Sequence, residues 1–148
     1  METSKVAELD LASFDAADEA QMVVMLNGKP TGWVWTFAGP GHPKTIEQST
    51  RMSRARLRET KAKEEARVNG RKWHAPEETP DETRAGNVNW VVERLLGWSP
   101  VKLDGQLTEF SEDKARELLS DRRKEGLLVQ SLEFLADDAS FTRRSAKT

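Results

Sequence analysis

Hydrophobic positions fall in short, separated groups along this chain. Met22-Val23-Val24-Met25-Leu26 is an apolar run of strand length. Asn27-Gly28-Lys29-Pro30-Thr31-Gly32 follows and is rich in turn formers,. Trp33-Val34-Trp35-Thr36-Phe37-Ala38 then alternates large aromatics with smaller residues, and period two puts Trp33, Trp35 and Phe37 on one face,. Residues 21–43 therefore predict a β-hairpin region with an aromatic inner face. A lone hairpin is marginal in water, so those rings need a third strand, a helix or a partner over them. Gly39-Pro40-Gly41-His42-Pro43 breaks the strand, and Pro43 suits the first turn of a following helix,.

Residues 44–68 predict one long polar helix, free of glycine and proline,. Its apolar positions are few: Ile46, Met52, Ala55, Leu57, Ala62, Ala66 and Val68. Asn69-Gly70 stops it, and a linker containing Trp73 and two prolines, Pro76 and Pro80, follows,. Residues 81–96 predict an amphipathic helix. Val88, Val91, Val92 and Leu95 recur at i, i+3, i+4 and i+7, Leu96 widens the stripe, and Gly97 caps the end,. Residues 101–110 predict a small hairpin turning at Asp104-Gly105,. Ser111 caps a helix whose inner side is Ala115, Leu118 and Leu119,. A last helix spans about 124–136, with Leu128, Leu132 and Leu135 on one face, and Phe141 closes the core after it.

The expected fold class is α+β: an N-terminal β-hairpin or small antiparallel sheet, then a mainly helical C-terminal part with one long charged helix. The regions run as an acidic N-terminal arm (1–20), the hairpin region (21–43), the long basic helix and linker (44–75), a helical domain (76–141) and a loose polar tail (142–148).

Composition limits the core. Of 148 residues, 36% are hydrophobic and 32% charged, against usual values of about 45–50% and about 25%. The net charge of −2 conceals segregation. Residues 1–20 hold six acids against Lys5, and residues 51–75 hold nine bases against Glu59, Glu64 and Glu65. Residues 76–125 are again acidic, with twelve acids against eight bases. The opposite signs let the basic segment fold back on an acidic one or meet an acidic partner. There is no cysteine, hence no disulfide, thiolate nucleophile or cysteine metal site, which fits a reducing cytosol,. No apolar run approaches the roughly 18 residues needed to span a bilayer, and the acidic start is unlike a signal peptide.

Each chemical candidate has a plainer reading. Ser111 and Lys114 have the Ser-x-x-Lys spacing of some acyl-enzyme hydrolases, but a serine ahead of two acids is a helix cap,. Glu77, Glu78, Asp81 and Glu82 lack flanking metal-ligand spacing and read as a solvated linker, as does Asp137-Asp138,. His42 sits in a glycine-proline loop without a nucleophile or acid beside it in the pattern,. No cofactor and no metal is expected. The arginine-rich stretch 51–72 followed by Trp73 is the one nucleic-acid candidate, and its interleaved glutamates argue for a solvated helix that docks on something acidic,.

Five tryptophans outnumber what so polar a chain hides by itself. Trp33, Trp35, Trp73 and Trp90 are the expected partner anchors, with Arg54, Arg58 and Lys61 steering the approach,.

The order of elements resembles the tail assembly chaperones of long-tailed bacteriophages and prophages. The resemblance covers roughly residues 14–143. It rests on the aromatic hairpin ending in Gly39-Pro40-Gly41-His42-Pro43, the long charged helix, and Leu95-Leu96-Gly97-Trp98-Ser99-Pro100. It continues through Asp104-Gly105, Phe110-Ser111, the Ala-Arg-Glu-Leu-Leu stretch at 115–119, and Glu133-Phe134-Leu135-Ala136-Asp137-Asp138 with Phe141. It implies a non-enzymatic protein of the host bacterial cytoplasm that binds the tail tube protein, the tape-measure protein or both. It would keep them soluble before polymerisation, with no small-molecule substrate and no membrane. The alternatives are a minor structural virion protein of tail or connector, and a nucleic-acid-binding regulator.

Overall fold

The computed structural model describes residues 6–141; the expected loose tail lies outside the described residues. The fold is α+β, as expected: a small antiparallel sheet followed by a mainly helical part. Strand β1 (Glu19–Leu26) turns through Asn27-Gly28 into β2 (Lys29–Ala38). Asn27 and Gly28 both have positive φ, 52° and 76°, the combination a two-residue hairpin turn requires,. Lys29 through Gly32, expected as turn, belong instead to β2. An irregularity opposite Val24 absorbs the extra residues there. Thr31 Oγ1 donates to Val24 O at 2.8 Å and accepts the Trp33 N–H at 3.1 Å, which satisfies the broken ladder,.

Helix α1 (Pro43–Val68) begins at Pro43, with His42 as its cap. Helix α2 (Pro80–Arg94) is capped by Thr79, which exchanges hydrogen bonds with Glu82,. The expected continuation of α2 through Leu96 is wrong. The chain turns extended at Leu95 and forms β3 (Leu95–Trp98). Strand β3 pairs antiparallel with β2, placing Trp98 opposite Trp35 and Gly97 opposite Thr36. The free edge of an aromatic hairpin is a stronger claim on these residues than one more helical turn. Gly97 is thus a strand residue and not a helix cap.

A small hairpin, β4 (Lys102–Leu103) and β5 (Gln106–Leu107), turns at Asp104-Gly105 as expected. Helices α3 (Glu112–Ser120) and α4 (Glu125–Ala136) complete the fold, and Phe141 is buried after them.

One core joins all this. Ala20, Met22 and Val24 of β1 and Trp33, Trp35 and Phe37 of β2 face the same way. They pack on Val88, Val91 and Val92 of α2, Ala115 and Leu119 of α3, and Leu128 of α4. Arg94 is also inside, which its place near a helix end did not suggest. Its Nε and Nη2 donate to Ala38 O at 3.2 and 2.6 Å, and its guanidinium lies 5.3 Å from the Phe141 ring centroid. Burial pushes that guanidinium below its ordinary value,.

Gly39 makes the close approach that locks sheet to arm. Its N–H donates to Asp18 O at 2.7 Å, and a Cβ there would lie 1.9 Å from Ala17 O. Only glycine fits.

Candidate partner-binding surface

The aromatic inner face of the hairpin is not a binding surface. Trp33 is 9% exposed and Trp35 fully buried. Trp33 lies 5.2 Å from Trp35 and 5.3 Å from Trp98, ring centre to ring centre, both pairs edge-on,. Trp98 also meets Phe110 at 5.0 Å, and its Nε1 donates to Thr108 O at 3.2 Å. The two hairpin tryptophans are therefore corrected from anchors to core. The cover that the sequence left open comes from β3 and the segment after it, within the same chain.

Trp73 and Trp90 stand differently, since both are only half-buried. Trp73, in the chain between α1 and α2, carries Lys63 Nζ over its ring at 4.6 Å,. Trp90 touches the core with one side and with the other walls a slot between α1 and α2.

That slot has a volume of about 300 Å³ and is open to solvent. Met52 and Ala55 form its α1 wall, and Gly86 and Trp90 its α2 wall. Gly86 is a mid-helix glycine, with nothing within 4 Å of where its Cβ would sit. One end is closed by polar contacts. Gln48, the one buried residue of α1, donates through Nε2 to Trp90 O at 3.1 Å and to Glu93 Oε2 at 2.9 Å. Arg51 pairs with the same Glu93 carboxylate, which raises its guanidinium above its ordinary value.

Beyond these first turns α1 runs free. Its 26 residues span about 39 Å at 1.5 Å per residue,. Every residue from Glu59 to Glu65 is exposed, as are Ile46 and Leu57. Arg54, Arg58 and Lys61 recur at i, i+4 and i+7, so they share one face, continuous with Arg51,. Among the described residues, none of these three makes an ion pair. None of the three lines the slot: Arg54 and Arg58 follow Arg51 along α1 past it, and Lys61 lies two residues from Lys63, which sits over Trp73. In the sequence Met52 and Ala55 are only scattered apolar positions, and Gly86 belongs to no stripe or motif. A lone glycine inside a good helix was the signal that a gap is kept there.

The other candidates have structural duties. Ser111 Oγ accepts the Lys114 N–H at 3.0 Å, and His42 Nδ1 accepts the Lys44 N–H at 3.1 Å, both as helix caps. Asp81 pairs with Arg122, and Glu82 completes the Thr79 cap. Among the described residues no cluster of three or more histidines or carboxylates is placed to hold a metal. Among them, too, no helix is long and apolar enough to cross a membrane.

No protein-family model, no curated protein and no solved structure matches this chain.

Proposed function

We propose that this chain is a non-enzymatic tail assembly chaperone of a long-tailed phage or prophage. It acts in the host bacterial cytoplasm, holding unassembled tail tube protein, tape-measure protein or both soluble until they polymerise. One observation supports the reading beside the resemblance: a 26-residue basic helix left almost wholly bare, flanking an apolar slot. An isolated polar helix gains little from being held out in water. It gains when a second chain lies along it, and that chain supplies acids for Arg54, Arg58 and Lys61 and an apolar side chain for the slot.

The test is co-expression of the full chain with each neighbouring tail reading frame, followed by pull-down and a pelleting assay. Capture and solubilisation of a tube or tape-measure protein are expected. Replacing Arg54, Arg58 and Lys61 together by glutamate should abolish capture without lowering Tm. Failure to capture any of them, or stoichiometric copies of the chain in purified particles, overturns the reading. Retained submicromolar binding to DNA at physiological salt would replace it with a nucleic-acid role.

A further inference from the structure

We infer that the α1/α2 slot also receives the acidic N-terminal arm of a second copy of this chain. In the arm, Val6, Leu9, Leu11 and Phe14 are all exposed, Leu11 by 79% and Phe14 by 70%. Residues 6–18 carry Glu8, Asp10, Asp15 and Asp18 and no base. Leu11–Phe14 is a single 3₁₀ turn, started by Asp10, whose carboxylate accepts the Ala12 N–H at 3.1 Å. Residues i and i+3 eclipse in such a turn, so Leu11 and Phe14 project together as one apolar knob. Asp10 and Asp15 bracket it.

The slot is its complement. Met52, Ala55, Gly86 and Trp90 leave about 300 Å³ unfilled, room for a large side chain,. Residues 51–58 alongside hold four arginines and no acid. An apolar knob between two carboxylates thus complements an apolar recess on a helix where Arg51 is held by Glu93 and Arg54, Arg56 and Arg58, among the described residues, make no ion pair,.

The arm does not fold back on its own helix: among the described residues no ion pair joins its acids to α1. Ala17, at the root of the arm, is anchored by its N–H bond to Phe141 O at 2.7 Å and by the contact at Gly39, while Leu11 and Phe14 stay exposed. The knob is thus left open to the slot of a second copy.

Sedimentation velocity of the full chain over a wide concentration range tests this. Assembly above monomer mass is expected at low salt and should weaken at high salt. Replacing Leu11 and Phe14 by aspartate should weaken it about tenfold or more. Asp10→Arg with Asp15→Arg, and separately Arg54→Asp with Arg58→Asp, should each abolish self-association. Mixing the two charge-reversed proteins should restore it as a mixed assembly, a rescue that no misfolded variant gives. A monomer at all concentrations overturns the inference, and so does association that ignores both reversals. No tail protein enters the measurement, so its failure leaves the chaperone reading standing, and failed capture of tail proteins leaves this one standing.

Discussion

The side-chain amide of Gln130 grips the backbone of Met25 from both sides. Gln130 Oε1 accepts the Met25 N–H at 2.7 Å, and Gln130 Nε2 donates to Met25 O at 2.9 Å. A single residue of α4 thereby occupies two positions of the outer ladder of β1, where another strand would otherwise add.

Gln130→Ala should therefore lower unfolding free energy by about 1 kcal/mol, because water replaces the lost bonds at this half-open edge. Urea denaturation measures it. The variant should also aggregate faster on heating, since its edge is open.

Gly39→Ala should be far worse. A Cβ at 1.9 Å from Ala17 O forces backbone apart, and a loss of ~3 kcal/mol or more is expected,. Gly97→Ala is the control. Nothing lies within 4 Å of its Cβ, so a change within ~0.5 kcal/mol is expected from the same denaturation curves,.

Arg94→Met keeps the apolar stem and removes the guanidinium. Among the described side-chain donors, Ala38 O then keeps the long contact from Thr45 Oγ1, 3.4 Å. A loss of about 2 kcal/mol is expected by thermal or chemical unfolding. Arg94→Lys should recover only part of it, because one ammonium cannot reproduce the two-point contact.

The Asp121 carboxyl is held well below its ordinary value by hydrogen bonds from the side chains of Arg123 and Lys124 and from the Arg123 backbone. A depressed carboxylate stabilises the fold above its unfolded value, near 3.8, and that contribution fades as pH falls toward the folded value,. Asp121→Asn keeps the cap to the Arg123 N–H but loses the charge. Its Tm should lie below wild type at neutral pH, and the gap should close as pH falls below about 4. A gap that is constant with pH would refute this assignment.

Amide exchange should divide α1 in two. Gln48 and Arg51 tie its first turns to α2, whereas the distal half has local pairs such as Lys63 with Glu59 and Arg67 with Glu64 and the exposed contact of Lys63 with Trp73 of the linker. Helix without tertiary cover opens readily. Residues 56–68 should exchange orders of magnitude faster than Val88 to Val92, and binding of a partner should slow them.

Local chemistry was enough for much of this protein. Asn27-Gly28 and Asp104-Gly105 set two hairpin turns, because few other pairs accept positive φ twice in succession,. Pro43 and Ser111 mark helix starts by the groups they lack or offer,; Pro80, expected in the linker, instead opens α2 behind Thr79. The alternation of Trp33, Trp35 and Phe37 set which face of β2 is apolar. Segregated charge foretold a bare helix. These signals act within a few residues, so the linear sequence carries them whole.

Tertiary structure alone decided the rest. Leu95 and Leu96 continue the helical stripe of α2, yet the unpaired edge of β2 takes them as strand, because backbone groups beside a packed sheet must find partners,. That strand brings Trp98 over Trp33 and Trp35, which turns two expected anchors into core. The slot exists because Gly86 and Ala55, on two successive helices, both line the gap between them. Burial and edge pairing are properties of what lies across a gap, and no local pattern records the neighbour.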